Sequence, residues 1–298
     1  MRSCAWLICL AGCGRLGFDA VGDATSEDID ASPPVGDPLI SVDPTTLPEF
    51  TGPPIRVSVS AGNNLEDDDP CLTRDQLEIF FDSKRDNDNN DIFVARRASL
   101  TDPWSTPVSI AVINTNEFEE HPQISGDGLT LYYTSNEDIW RTIRADRDAP
   151  WEPPAKVAAL SDGDEQAMGS VDARDLVLVL STIPASLNTD ELYESRRTST
   201  TEPWGPLVPI TDINTQSFDR SAHLDDYGLV MFYEYGAPAR IRWSWRTSVG
   251  AAWSAPVNVL GLDGPSAESD PWLSPDLRTI YFAIDAGQGN KDIYTLTR

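Results

Sequence analysis

The sequence predicts an all-β protein, a single five-bladed β-propeller made of four-stranded antiparallel blades. A repeat of about 50 residues returns along the chain in five copies. Each copy contains four short β-rich runs separated by turn residues, and each carries an aromatic residue at the same point. These residues are Phe50, Trp104, Trp151, Trp204 and Trp253, and the four tryptophans stand 47, 53 and 49 residues apart. Such a repeat of short strands is typical of propeller blades.

Each predicted blade has four strands in a fixed order. In the second copy, the turn Ser125-Gly126-Asp127-Gly128 separates the first two strands. The innermost strands are predicted to start near Cys71, Gln123, Ser170, Ala222 and Trp272. The second strands are predicted over residues 77–81, 129–134, 176–181, 229–233 and 279–284. The third strands should begin near Asp91, Asp138, Asp190, Arg240 and Asp292, and the outer strands lie near Val108, Lys156, Val208 and Val257.

The last copy is one strand short when the chain ends at Arg298. The missing strand is found at the other end, because residues 54–59 follow Phe-x-x-Pro in the place where outer strands follow Trp-x-x-Pro. The N-terminal segment should therefore complete the last blade and close the ring, which leaves no long free edge. The sequence thus predicts one propeller domain over residues 49–298.

Residues 1–12 are predicted to be a signal peptide. Arg2 is followed by an apolar run over residues 3–10 that is too short to span a bilayer, and a small-residue site ends at Cys13. This stretch resembles the bacterial lipoprotein signal, which implies cleavage before Cys13 and acylation of that residue. Gly14 follows the cysteine, which favours the outer membrane over retention at the inner one. The alternatives are an ordinary secretory signal or a misplaced start codon.

Residues 13–48 are predicted to be a disordered tether. Acidic residues stand there among Ser, Pro, Gly and Ala, with few large apolar side chains, and this composition does not support a packed core. Once Cys13 carries lipid, Cys71 is alone in the mature chain, so no intramolecular disulfide is expected. The predicted location is the bacterial cell envelope, lipid-anchored, on a side that the sequence leaves open.

The repeat resembles the WD-repeat-like motif of TolB-type periplasmic propellers over about 250 residues. The resemblance rests on Ser274-Pro275-Asp276, its degenerate form at 125–128, and three Asp-Ile-aromatic triplets: Asp91-Ile92-Phe93, Asp138-Ile139-Trp140 and Asp292-Ile293-Tyr294. Two copies are eroded, at residues 190–193 and 240–243. The resemblance implies an envelope propeller that works by contact, although a fold of this kind does not fix a function.

The charge of the chain limits its partners. A net charge of −26 and a pI near 4.2 exclude nucleic acid as a ligand and make anionic lipid headgroups repulsive. The expected partner is an envelope protein or a glycan, and contact with the membrane is expected through the lipid anchor alone.

Four acidic residues are predicted to form a ligand-binding ring at the mouth of the central channel. They stand three residues before the inner-strand proline or its equivalent: Asp67, Glu119, Asp219 and Glu268. The third copy has Ala167 there, with Glu165 nearby. Repulsion within such a ring raises pKa values or recruits cations, so a basic partner or Ca²⁺ is a physical possibility. In the alternative interpretation, each carboxylate caps backbone N–H groups of its own turn.

The expected function is a non-catalytic binding or scaffolding module for protein or glycan, without cofactor, metal site or catalytic residues. His121 and His223 occupy non-equivalent repeat positions, which argues against a shared metal site. No Ser-His-Asp order, phosphate loop or Cys-x-x-Cys pair stands out. The alternative is a propeller glycoside hydrolase or lyase that uses acidic residues in the channel, one carboxyl to protonate the leaving oxygen and another to attack or activate water.

The repeated aromatic residues allow two interpretations. They could stack on sugars, as exposed aromatic side chains do in lectin-like propellers. Their regular position before each outer strand favours packing between neighbouring blades.

Overall fold

The computed structural model describes residues 49–60, 65–86, 89–161, 163–184, 189–262, 266–285 and 290–298. The predicted signal peptide, Cys13 and the tether lie outside these residues, so they stay predictions. None of the helices in the described part of the chain is long and apolar enough to cross a bilayer.

The prediction of a five-bladed propeller is confirmed, because twenty strands form five four-stranded antiparallel sheets. The first strand, β1 (Ile55–Arg56), belongs to the fifth blade. Blade 1 contains β2 (Asp67–Leu72), β3 (Glu78–Ser83), β4 (Asp91–Arg96) and β5 (Val108–Ser109). Blade 2 contains β6 (Glu119–Ile124), β7 (Thr130–Ser135), β8 (Asp138–Ile143) and β9 (Ala155–Lys156).

Blade 3 contains β10 (Glu165–Val171), β11 (Val177–Ile183), β12 (Glu191–Arg196) and β13 (Val208–Pro209), preceded by a 3-10 turn at Ala158–Leu160. Blade 4 contains β14 (Asp219–Leu224), β15 (Val230–Tyr235), β16 (Arg240–Trp245) and β17 (Val257–Asn258). Blade 5 contains β18 (Ala267–Leu273), β19 (Thr279–Asp285) and β20 (Lys291–Thr297), with β1 as its outer strand.

The ring closes where the N-terminal segment joins blade 5. Ile55 pairs with Thr295 in the antiparallel β1–β20 ladder, and the side chain of Phe50 is buried. The Phe50 N–H donates to the Leu260 carbonyl across 3.3 Å. Gly261 makes this approach possible, because a Cβ there would lie 1.9 Å from the Phe50 carbonyl oxygen, and its φ is +89°. The closure predicted from the sequence is therefore confirmed.

The second strand of each blade supplies most of the core. β11 reads Val-Leu-Val-Leu-Ser-Thr-Ile, and six of its seven residues are buried. Neighbouring blades cover both faces of these strands, so the sequence is a nearly continuous apolar run rather than an alternation. The outer strands have only two residues each and are largely exposed. Because these edge strands are so short, they offer few free backbone groups with which another chain could pair.

The repeated tryptophans pack between blades. Trp151 of blade 2 lies edge-on to Phe80 of blade 1, with ring centroids 6.2 Å apart, and Trp204 meets Tyr132 in the same way at 6.4 Å. Each tryptophan also carries an arginine guanidinium over its ring, seven residues earlier in the chain, at 4.2–4.5 Å from the centroid: Arg97 on Trp104, Arg144 on Trp151, Arg197 on Trp204 and Arg246 on Trp253. The sequence analysis missed this arginine, although its constant spacing is visible in the repeat.

Candidate functional site

The inner strands of the propeller carry irregularities that aim side chains into the channel. The pairing of each inner strand with its neighbour is interrupted, for example between Asp68 and Cys71 in blade 1. Left-handed backbone conformations with φ of 50–54° occur at Asp69, His121, Ser221 and Asp270. Blade 3 has Gly169 within its irregularity. A β-bulge re-aims a side chain, and here it turns four polar residues toward the axis of the ring.

A small cavity of about 30 Å³ lies among these residues, lined by Asp69, His121, Ser221 and Asp270 together with the residues that follow each in the chain. A volume of this size holds about one water molecule or one ion. It is far smaller than the several hundred Å³ of a typical organic-ligand pocket. A sugar ring would therefore have to bind at the end of the channel rather than within it.

Asp69 and Asp270 of the cavity wall lie close to two further buried carboxyl groups, and we call the four the channel cluster: Asp68, Asp69, Asp82 and Asp270. One carboxylate oxygen from each of Asp68, Asp69 and Asp270 lies within 4.8 Å of the others. The Lys291 ammonium contacts Asp68 Oδ2 at 2.5 Å and Asp270 Oδ2 at 3.0 Å. His121 Nε2 lies 3.6 Å from Asp69 Oδ2.

The pKa values in the channel cluster diverge. Burial, followed by the charge of Asp270, raises the pKa values of Asp68 and Asp69 well above their usual range. Burial alone would also raise the pKa of Asp270, but the Lys291 ammonium and a hydrogen bond from Asp68 hold it well below. The pKa of Lys291 is raised, because the charges of Asp270 and Asp68 outweigh the effect of burial. The cluster thus concentrates more negative charge than its ammonium neutralises.

Asp82 lies opposite Asp68 in the sheet of blade 1. Its side chain is 1% exposed, and neither carboxylate oxygen has a hydrogen-bond donor among the residues that the structure describes. Burial and the charge of Glu120 raise the pKa of Asp82 to about 8. The carboxyl of Asp69 lies within hydrogen-bonding distance of Asp82. A hydrogen bond between them requires that one of the two groups carries a proton.

A second group of acidic residues opens to solvent at the channel mouth, the end of the channel where the inner strands begin. We call these four the mouth carboxylates: Glu120, Glu137, Glu165 and Asp190. Burial raises the pKa of Glu165, and the charges of Glu137, Asp190 and Glu120 raise it further. Burial also raises the pKa of Asp190, while the charge of Arg220 opposes that rise.

Arg220 links the mouth to the channel. Its side chain is 42% exposed, Nη2 lies 2.7 Å from Glu234 Oε1, and Nη1 lies 3.6 Å from Asp190 Oδ2. Burial and the charge of Asp270 raise the pKa of Glu234 to about 6. Glu120 is fixed on the other side, where its Oε1 accepts a hydrogen bond of 2.6 Å from Asn90. The mouth therefore combines several carboxylates with an accessible guanidinium.

The four residues of the predicted ring occupy equivalent positions at the start of the inner strands, each paired with the end of the second strand: Asp67 with Ser83, Glu119 with Ser135, Asp219 with Tyr235 and Glu268 with Ile284. Blade 3 has Gln166 at this position, paired with Thr182, rather than Ala167. The bulge has the same length in both blades, because pairing resumes four residues after Gln166, at Ser170, and four residues after Glu119, at Gln123. Gly169 therefore takes the place of Pro122, and Gln166 stands three residues before it.

The side chains of the predicted ring make contacts close to their own strands. Glu119 accepts hydrogen bonds from the Thr115 N–H at 2.9 Å and from the Ser135 hydroxyl at 3.1 Å. Asp219 accepts from the Thr215 N–H at 2.7 Å. Asp67 pairs with Arg85 at 2.5 Å, and Glu268 with Arg240 at 3.2 Å. The N–H contacts of Glu119 and Asp219 are those of the capping alternative, whereas Asp67 and Glu268 pair with arginines. A ligand-binding role for the four residues stays a prediction.

The channel cluster was not predicted from the sequence. Its signal is an Asp-Pro or His-Pro pair at one repeat position, seen at 69–70, 121–122 and 270–271. The proline was used there only to align the repeats. The residue before a proline is pushed out of the helical region, which is compatible with a bulge at this point, but the sequence does not show that the bulge faces the axis.

His223 lies in the wall of the same cavity and gives the fold a pH dependence. Its Nε2 is 3.2 Å from the Leu273 carbonyl oxygen, and burial lowers its pKa to about 4. The unfolded chain takes up this proton near pH 6.5, so the folded state should lose roughly 3 kcal/mol as pH falls from about 6.5 to 4. Urea unfolding at pH 7, 6, 5 and 4 should show this loss in the wild type relative to His223→Gln. A difference between the two proteins that does not change with pH would contradict it.

No model of a known protein family matches the chain, and no curated protein matches it. Several solved structures are similar to the chain. The catalytic domain of a family GH62 α-L-arabinofuranosidase from Coprinopsis cinerea is similar at 13% identity, over 84% of this chain and 96% of that one, with a TM-score of 0.58. A family 117 glycoside hydrolase from Zobellia galactanivorans is similar at 11% identity, over 84% and 90%, with a TM-score of 0.59.

The TolB-type resemblance holds for the propeller fold. A TolB protein from Agrobacterium tumefaciens is similar at 12% identity, over 78% of this chain and 76% of that one. At a TM-score of 0.49 this likeness carries no argument, and the propeller fold is shown by the five sheets of the chain itself.

The prediction of a non-catalytic module, and with it the prediction that the chain is not an enzyme, is contradicted by these comparisons. Glycoside hydrolases recur among the solved structures that share the fold. The alternative, a propeller glycoside hydrolase with acidic residues in the channel, is better supported. At identities of 10–14% the likeness itself shows the fold, so the chemistry has to be argued from the residues of this chain.

Proposed function

We propose that the protein is a glycoside hydrolase that acts at the channel mouth, with Glu165 as the proton donor and Asp190 as the ionised carboxylate. The observation that carries the proposal is the convergence of the mouth carboxylates on Glu165, whose pKa is raised by partial burial and then by their charges. Glycoside hydrolysis needs two carboxyl groups of different basicity, one protonated and one charged.

The two residues have environments that suit these roles. Glu165 is exposed at the first position of β10, so a glycosidic oxygen can reach it, and neighbouring negative charges favour its protonated form. Asp190 is buried beside Arg220; burial raises its pKa, and the charge of the guanidinium opposes that rise. An ionised carboxylate at that place can stabilise the positive charge that develops on the sugar ring, attack the anomeric carbon, or activate a water.

The size of the channel also supports a site at the mouth. The cavity beyond the mouth has room for about one water or ion, so a sugar ring would rest above it against Glu120 and Arg220. Solved propellers of similar fold include α-L-arabinofuranosidases. We therefore propose a glycan as the substrate and an arabinofuranosyl linkage as the first one to test.

The test is hydrolysis of 4-nitrophenyl α-L-arabinofuranoside, of the corresponding β-xyloside and β-glucoside, and of arabinoxylan by the purified full chain. Asp190→Asn should lower kcat/KM at least about a hundredfold on every substrate that the wild type cleaves. Glu165→Gln should cost as much on arabinoxylan but less on the nitrophenyl glycosides, because nitrophenolate leaves without a proton. Glu165→Gln should also remove the alkaline limb of the pH–rate profile.

Asp148→Asn is the matched control, since that side chain is 97% exposed and lies beside Arg96, at the end of β4 away from the mouth. It should leave kcat/KM unchanged. A folded wild-type protein that cleaves none of these substrates faster than buffer, or an Asp190→Asn variant that retains wild-type activity, would contradict the proposal.

The location of the protein is a separate proposal that rests on the sequence. A lipid anchor at Cys13 and a place in the bacterial envelope, on the outer membrane, would bring the site to an extracellular or periplasmic glycan. The net charge of −26 favours neutral or basic ligands over anionic ones at this mouth.

A further inference from the structure

We propose that the channel cluster binds one divalent metal ion, Ca²⁺, through carboxylate oxygens of Asp68, Asp69 and Asp270. This site is independent of the proposed hydrolase activity, because its ligands lie inside the channel and the mouth carboxylates are not among them. Ca²⁺ takes six to eight oxygen ligands from carboxylates, carbonyls and waters.

The geometry fits this ion. Three oxygens from Asp68, Asp69 and Asp270 lie within 4.8 Å of one another. Two oxygens bound to one Ca²⁺ at 2.3–2.6 Å lie at most about 4.6–5.2 Å apart, whereas Mg²⁺, with bonds near 2.0–2.1 Å, allows only about 4.2 Å. The adjoining cavity of about 30 Å³ has room for the ion or for a water that completes its coordination.

A second observation also points to a cation. Asp82 is 1% exposed and has no hydrogen-bond donor for either oxygen among the described residues, and Oδ1 of Asp68, a residue 6% exposed, lacks a donor as well. A buried carboxylate without a partner is costly. Asp82 stands beside the three proposed ligands, opposite Asp68 in the sheet, so a bound cation would compensate its charge.

The charge balance leads to the same conclusion. Over the residues that the structure describes, the cluster brings four carboxyl groups together, and the Lys291 ammonium contacts two of them. Three negative charges are left if all four groups are ionised. A divalent ion reduces this excess to one.

Calorimetric titration of the metal-free protein with CaCl₂ and MgCl₂ tests the site without any sugar. We expect saturable Ca²⁺ binding with one ion per chain and weaker Mg²⁺ binding. The melting temperature should rise by about 5–10 °C when Ca²⁺ exceeds its Kd a hundredfold. Tb³⁺ should replace Ca²⁺ and emit on excitation of tryptophan, because Trp272 lines the same cavity.

The ligand variants are Asp69→Asn and Asp270→Asn. Both positions have φ of 50–54°, which asparagine tolerates, so the backbone can be kept. Each should weaken Ca²⁺ binding at least tenfold. In EDTA, Asp69→Asn should melt no lower than the wild type, because it relieves repulsion in the metal-free cluster. Trp272→Phe should lower Tb³⁺ emission and leave the Ca²⁺ affinity unchanged.

Asp292→Asn is the control, since Asp292 follows Lys291 in the chain but pairs with Arg56 on the surface. It should bind Ca²⁺ like the wild type. Equal melting temperatures in CaCl₂ and EDTA, with no Tb³⁺ emission, would overturn the proposal and leave protons as the compensation. Binding that persists in Asp69→Asn and Asp270→Asn would overturn it too, because the ion would then lie elsewhere. Either result leaves the hydrolase assay unaffected.

Discussion

Deletion of residues 49–60 is expected to leave a chain that does not fold stably. This segment supplies β1 and buries Phe50, Val57 and Val59, which together contribute roughly 5–9 kcal/mol of apolar burial. The Val57 N–H also donates to the Ile293 carbonyl at 2.8 Å. The loss is comparable to the whole stability of a typical domain, about 5–15 kcal/mol. It would also expose the edge of β20 to other chains.

Circular dichroism and size-exclusion chromatography of the deleted chain check this prediction. We expect loss of the cooperative thermal transition and elution as aggregates. Phe50→Ala is a milder version and should lower the free energy of unfolding by about 3–5 kcal/mol, because Phe50 is fully buried in the core between blades 4 and 5. Ile55→Thr, at an exposed position of the same strand, should change it by less than about 0.5 kcal/mol. A deleted chain that melts like the wild type would show that the ring does not need its closing strand.

Glu78→Gln should destabilise the contact between blades 1 and 2 by about 3–5 kcal/mol. The buried Glu78 carboxylate contacts Arg96 at 2.7 Å, Arg144 at 2.5 Å and Arg147 at 3.0 Å. Arg144 is itself 1% exposed, so the substitution leaves a buried guanidinium without its counter-charge. The loss is measured by urea unfolding and corresponds to a melting temperature lower by roughly 10 °C.

Asp292→Asn again provides the comparison, because it removes one carboxylate from a partly exposed pair with Arg56. Pairs of this kind contribute at most about 1 kcal/mol. Equal unfolding free energies for Glu78→Gln and the wild type would mean that the three arginines find solvent or other partners at no cost.

Most of the fold could be predicted from the sequence because its signals are local and repeated. Trp104, Trp151, Trp204 and Trp253 mark equivalent points of four blades, and the second strands are visible as apolar runs such as 177–181. The closing strand could be inferred because Phe50 and the residues after it repeat the pattern before an outer strand. Each of these inferences needs only a comparison of one copy with the next.

The candidate site could be predicted only in part. The repeat placed acidic residues near the channel mouth, and Glu165 was noted there, but its partners Glu120 and Asp190 were not grouped with it. The register predicted for blade 3 was wrong by one residue, since Gly169 takes the place of the inner-strand proline and Gln166 stands where Ala167 was expected. Blade 3 lacks the proline that marks the register in blades 1, 2 and 5, and a shift of one residue changes which side chain faces the axis.

The sequence by itself determined the all-β class, the five blades and the order of strands within them, because each blade is specified by residues close together in the chain. Only the tertiary structure decided the channel cluster. Asp68 and Asp270 are about 200 residues apart in sequence, and ring closure by β1 sets blade 5 beside blade 1. Such contacts depend on the geometry of the closed ring. The curvature of the blades and the direction of the bulges bring carboxylate oxygens of Asp68, Asp69 and Asp270 within 4.8 Å of one another, and no local sequence pattern shows this.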